Sequence, residues 1–98
     1  MQNIKESKIE NDVCNYAKLN KCLVFKFKSP SQRGVPDRIF LKNNQILFIE
    51  FKKPGGKLTK LQKLIINKLK IENFLIFVID NVEQGKLLID KFILGKLK

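Results

Sequence analysis

The sequence predicts an α/β fold with elements in the order α-β-β-β-α-β-α and a mixed sheet flanked by helices, and three patterns predict it. Apolar residues recur at helical spacing near both ends and again past the middle, short Ile-, Leu- and Phe-rich runs lie between them, and Asn, Pro and Gly mark the boundaries. The 98 residues are enough for one hydrophobic core and too few for two. Residues 1–98 therefore read as a single domain with one site.

The first helix is expected over residues 7 to about 20, where Ile9, Val13, Tyr16 and Ala17 form one stripe and Ser7 with Glu10 matches a capping box. Residues 21–28 alternate in part, Leu23, Phe25 and Phe27 against Val24, Lys26 and Lys28, and read as a strand ending in the polar loop Ser29-Pro30-Ser31-Gln32-Arg33-Gly34. Two further strands, 36–42 and 45–52, flank Asn43-Asn44, residues that tolerate the positive φ of a tight hairpin. Lys53-Pro54-Gly55-Gly56-Lys57 interrupts the pattern, with Gly55-Gly56 read as a flexible connector. Thr59 then caps a helix carrying Leu61, Leu64, Ile65 and Leu69. The apolar run 74–79 reads as a strand covered on both faces, and residues 82 to about 94 as a last helix burying Leu88, Ile89, Phe92 and Ile93.

Composition narrows the chemistry. Twenty Lys and Arg against nine Asp and Glu leave a net charge of +11, which implies a polyanionic partner or, alternatively, a lysine-rich composition with no partner at all. The longest apolar run, 74–79, is far short of the ~20 residues of a membrane span, and the first six residues hold no apolar leader, so a cytoplasmic protein is expected, in a host's cytoplasm if the source is viral. Cys14 and Cys22, without a histidine or a third cysteine, read as free thiols. The chain has no histidine, which excludes His-dependent triads, His-metal centres and imidazole acid-base pairs; a tyrosine nucleophile would rest on Tyr16 alone. Hydrolytic chemistry must then run on carboxylates, lysine and a hard metal such as Mg²⁺ or Mn²⁺.

A hairpin centred on Asn43-Asn44 pairs Lys42 with Gln45, and every later pair sums to the same total, so Asp37 faces Glu50. Directly opposed Cβ atoms lie about 4.5–5.5 Å apart, and two carboxylates so placed repel unless a cation bridges them. Lys52 projects from the same face as Glu50, and Pro36, which has no N–H to donate, opens the strand before Asp37. The Phe51 carbonyl between them offers a neutral oxygen as a further ligand. The competing reading is a surface hairpin whose acids are solvated or paired with Arg38 and Lys52. Apolar pairs behind them, Ile39 with Phe48 and Leu41 with Ile46, make this face core and favour a site.

Asp37, twelve intervening residues and Glu50-Phe51-Lys52 resemble the motif of the PD-(D/E)xK nuclease superfamily. The longer strings Arg33-Gly34-Val35-Pro36-Asp37-Arg38 and Ile49-Glu50-Phe51-Lys52-Lys53-Pro54-Gly55-Gly56-Lys57-Leu58-Thr59 are similar to the virus-type replication-repair nuclease (VRR-NUC) domain, over nearly the whole chain from Glu10 onward. That resemblance implies a restriction-endonuclease-like core and a metal-dependent endonuclease. It further implies that an acid on the first helix, Glu10, joins Asp37, Glu50 and Lys52 at the metal, with Gln62 in support. Each added residue has a structural alternative, Glu10 as capping partner of Ser7 and Gln62 of Thr59.

Ser29, Gln32, Arg33, Arg38, Lys53 and Lys57 surround this centre and are the candidate contacts to a DNA backbone, with Lys26 and Lys28 behind them. The resemblance implies branched DNA as substrate, as for Holliday-junction resolvases that work as homodimers in repair and recombination. Two alternatives keep the same fold: a basic DNA-binding module that does not cut, which the intact Asp37, Glu50 and Lys52 argue against, and a flap-directed or restriction-type nuclease with the same centre.

Overall fold

A computed structural model describes residues 4–97; Met1 to Asn3, the start of the stretch read above for a leader, and Lys98 lie outside the described residues. The elements are α1 (Glu6–Leu19), β1 (Leu23–Lys26), β2 (Arg38–Lys42), β3 (Gln45–Phe51), α2 (Lys60–Ile71), β4 (Leu75–Ile79) and α3 (Val82–Ile93). The predicted order is therefore the observed one. The strands form a four-stranded mixed sheet ordered β1-β2-β3-β4, antiparallel from β1 to β3 and parallel between β3 and β4, with α2 as the crossover.

The β2–β3 hairpin sets the register of everything around the site. Asn43 and Asn44 both take positive φ, 50° and 65°, the backbone of a primed two-residue turn whose twist suits paired strands. Arg38 pairs with Ile49 and Lys42 with Gln45, as the turn predicts. β3 alternates across the sheet: Leu47, Ile49 and Phe51 enter the main core with Ile9, Val13, Ala17, Ile89 and Phe92 from α1 and α3, while Phe48 joins Ile66 and Ile76 under α2. α1 and α3 meet closely enough that a Cβ built on Gly85 would stand 2.4 Å from Val13 Cγ2.

Four local expectations change. The run 74–79 is not covered on both faces: β4 is the sheet edge, and Phe77 and Val78 are 36% and 40% exposed, because no strand lies beyond it. On β1, Leu23 and Phe25 are exposed at 58% and 53% while Val24 packs on the core, since α2 covers only part of the sheet face they share with Phe48. α1 begins at Glu6 with Lys5 as N-cap and no side-chain cap; Ser7 lies inside the first turn, and a capping hydroxyl works only from the residue before the first helical one. Gly55 takes φ +76° and the Gly56 N–H donates to the Lys53 carbonyl at 2.8 Å, so Pro54-Gly55 occupy the middle of a hydrogen-bonded turn of type II pattern rather than a flexible connector. Cys14 and Cys22 are buried free thiols, and burial pushes Cys14 up to about 11. No helix among the described residues is long and apolar enough to cross a membrane.

Candidate active site

Asp37 sits one residue before β2, at the point where the ladder to β3 stops. Its main-chain carbonyl accepts from the Phe27 N–H at 2.9 Å, which extends the β1 pairing by one step. The Phe51 N–H has no strand partner on that side, and Asp37 Oδ2 accepts from it at 2.9 Å. This bond fixes the carboxylate against the end of β3. One step beyond the Arg38–Ile49 pair, Asp37 stands opposite Glu50, so that Phe27, Asp37 and Glu50 form a row across three neighbouring strands.

Glu50 is the one buried charged residue among those described, 2% exposed. Its Oε2 accepts from Gln62 Nε2 at 3.2 Å. Gln62 also completes the α2 capping box, its Oε1 accepting from the Thr59 N–H at 2.9 Å while its own N–H donates to Thr59 Oγ1 at 3.1 Å. The two alternatives for Gln62 are thus both true of one side chain: the cap holds the amide and the amide holds Glu50.

The electrostatics follow from crowding acids in a dry place. Burial first, then the Asp37 charge, pushes Glu50 up to about 8; the Glu6 charge and a hydrogen bond with Asp37 add to it, and Lys52 opposes it. Asp37 is raised as well, chiefly by burial and also by the Glu10 charge, against the Phe51 N–H and Lys52. Two carboxyls this close disfavour each other's ionisation, so both are raised. Hard anionic oxygens that repel each other, with a nearby ammonium that only partly compensates, are a donor set that fits a hard divalent cation, which would displace any proton held there. Among the described residues no three metal-ligating side chains converge, so this is a preformed pair and not a complete ligand shell.

The acids of α1 divide differently from the sequence expectation. Glu10 Oε2 accepts from Arg38 Nε at 2.6 Å, both side chains being half-buried; its charge reaches Asp37. Glu6, one helical turn earlier, is the α1 acid whose charge falls on Glu50. Sequence reasoning missed Glu6, although its spacing of four from Glu10 places both on one helix face.

Ser29, Gln32 and Arg33 line an open groove of about 690 Å³ between the 28–35 loop and the start of α2, with Gln62 at its inner end. Lys53 and Lys57 are exposed in the turn beyond β3 and do not line that groove. Arg38, grouped with them on sequence, is bonded to Glu10 instead of lining the groove. Tyr16 is remote in role as well, donating to Asp90 at 2.5 Å between α1 and α3.

Comparison with known proteins identifies the family and the fold. The sequence signature of the VRR-NUC domain family matches residues 2–83. The chain is 41% identical over 63 residues to a protein of Acyrthosiphon pisum secondary endosymbiont phage 1 named Putative nuclease p44, spanning 63% of this chain and 68% of that one. Two solved structures share the fold: a VRR_NUC domain with TM-score 0.81 and 21% identity, covering 89% of this chain and 96% of its own, and a VRR_NUC domain protein with TM-score 0.77 and 19% identity, covering 94% and 90%.

Proposed function

This chain belongs to the VRR-NUC domain family of nucleases, and from that premise we propose that it is a Mg²⁺- or Mn²⁺-dependent endodeoxyribonuclease. It hydrolyses phosphodiester bonds at the Asp37–Glu50 pair, acting on branched DNA of the Holliday-junction kind as a homodimer. The observation that carries this reading is the buried Glu50 held opposite Asp37 with Lys52 beside both. Such an arrangement is costly to the fold unless a cation or a proton relieves it.

A divalent ion bound there supplies a Lewis acid for the phosphate and a water of lowered pKa. The residues divide the remaining work. Asp37 and Glu50 would offer anionic oxygens, the Phe51 carbonyl a neutral one, and Glu10 from α1 a further carboxylate through Oε1, its Oε2 being bonded to Arg38, with Glu6 adding negative charge from the same helix. Gln62 keeps the Glu50 carboxylate in one orientation. Lys52 orients the attacking water through its Nζ ammonium, or offsets the charge that builds on the phosphorane. Ser29, Gln32, Arg33, Lys53 and Lys57 contact the phosphate backbone, and the +11 charge supports a polyanionic substrate. Pairing of two copies is supported by the sheet face that α2 leaves open, where Leu23, Phe25 and Ile46 are 58%, 53% and 40% exposed, and a two-fold assembly would present two centres to two strands.

Labelled duplex, flap and four-way-junction DNA incubated with Mg²⁺, Mn²⁺ or EDTA tests it. Cutting of the junction with either ion and none in EDTA is expected; binding without cutting in every condition returns the chain to a DNA-binding module, and preference for flaps or plain duplex reassigns the substrate. Light scattering on free and junction-bound protein should give twice the chain mass, and a monomer in both counts against the paired enzyme.

A further inference from the structure

The groove beside the centre has apolar lining that phosphate contacts do not explain. Phe27, Pro30, Val35 and Leu61 line it, together with the cationic Lys28 and Arg33. The loop is seated firmly: Gly34 has φ +86°, and a Cβ there would meet the Leu61 backbone at 3.0 Å, so the loop packs directly on the first turn of α2. The Phe27 ring is held from behind, 5.6 Å from the Phe48 ring and tilted 43° to it, and Phe48 is in turn edge-on to Phe74 at 5.9 Å. Phe27 is also the direct strand neighbour of Asp37 through its N–H bond to the Asp37 carbonyl. Adjacent strands lie about 5 Å apart, so the ring stands beside the acid that begins the reacting centre.

Resting on the nuclease reading above, we propose that Phe27 is a stacking platform for one unpaired nucleobase, whose own phosphate is thereby delivered to Asp37 and Glu50. An aromatic ring fixed by its neighbours stacks on any base, because every base has a π-face. The cationic part of the lining suits the phosphates on either side of that base and disfavours a neutral apolar guest. A paired base cannot reach the ring without leaving its stack, which costs a few kcal/mol. The pocket therefore favours DNA in which a nucleotide next to the cut leaves its stack at little cost, as in a flap or at a branch point whose terminal pair has opened.

The test uses the whole protein in EDTA, where binding is read without cleavage, on a flap DNA with a single abasic site walked along its single-stranded arm. One position is expected at which losing the base weakens binding about tenfold or more, the size of one stacked base. A 2-aminopurine at that position should be quenched on binding. Phe27→Leu, which keeps the packing volume, should lose both effects and bind intact and abasic flaps alike; Phe27→Trp should keep both. Equal affinity of wild type for intact and abasic flaps at every position overturns the proposal, whatever the variants do. Cutting in Mg²⁺ without base dependence defeats the stacking pocket alone, and base-dependent binding without cutting in any ion defeats the nuclease reading alone.

Discussion

Gln62 joins a helix cap to a buried acid: its amide oxygen accepts from the Thr59 N–H at 2.9 Å and its amide nitrogen donates to Glu50 Oε2 at 3.2 Å. Local helix geometry thus dictates where the Glu50 carboxylate points. Two variants separate the two bonds. Thr59→Ala removes the cap, costs about 1 kcal/mol of stability and leaves Glu50 its partner, so cleavage should stay near wild type. Gln62→Ala loses the cap partner and the Glu50 bond together, and should lower the cleavage rate about 10- to 100-fold, the usual size of a lost partner to a metal ligand. Urea melts and single-turnover rates on the same substrate check both, and equal rates for the two variants would contradict the positioning role.

The raised Glu50 fixes a pH dependence of the metal-free fold. Its ordinary value is 4.5 and its folded value about 8, so the folded state holds the proton more tightly than the unfolded chain does. Glu50's contribution to stability is fully present below about 4.5 and is lost as pH rises through about 8, with a slope near 1.4 kcal/mol per pH unit at most. In EDTA the wild type should melt lower at pH 8.5 than at pH 5.5, and Glu50→Gln should be the more stable protein at pH 8.5. Adding Mg²⁺ at pH 8.5 should raise the wild-type midpoint and not that of the variant. A wild type and variant with parallel pH profiles would contradict the burial account.

Arg33 and Arg38 differ by five positions and by role. Arg33 lines the open groove, whereas Arg38 is bonded to Glu10 with 13% of its side chain exposed. Arg33→Ala should weaken DNA binding at all sequences and reduce the salt slope by about one counterion. Arg38→Ala should leave that slope unchanged and instead destabilise the fold by about 1–3 kcal/mol, because the half-buried Glu10 carboxylate loses its charged hydrogen-bond partner. Binding isotherms at several salt concentrations distinguish them.

Gly85 sits where α1 and α3 come closest, and an added Cβ would lie 2.4 Å from Val13 Cγ2. Gly85→Ala should cost about 1–3 kcal/mol by overpacking, despite the better helix propensity of alanine. Val13→Ala opens that space, so the double variant should be more stable than the sum of the two single effects predicts. A strictly additive double variant would show that the helices shift apart to absorb the methyl.

Much of the site was legible because it hangs on one turn. Asn43-Asn44 sets the hairpin, the hairpin sets the register, and the register puts Asp37 opposite Glu50 with no tertiary contact needed to infer it. Gln62 follows from the family resemblance, and the capping pattern at Thr59, its structural alternative, holds as well. What was not legible depended on neighbours distant in sequence. An apolar run such as 74–79 looks the same at a sheet edge or at its centre, since periodicity records burial without saying how many strands lie beyond. The Arg38–Glu10 ion pair spans 28 residues, so Arg38 looked free. Glu6 was hidden by reading the helix start at Ser7; moving the cap back to Lys5 brings it into the first turn beside Glu10.

The most direct measurement is the cleavage rate of wild type, Asp37→Asn and Glu50→Gln on one labelled junction in Mg²⁺, with binding measured in parallel. The predicted result is a loss of about a hundredfold or more in each variant, since each loses an anionic metal ligand, with affinity for DNA within about twofold because Lys and Arg contacts supply it. Wild-type cutting by either variant would show that Asp37 and Glu50 are not the catalytic centre.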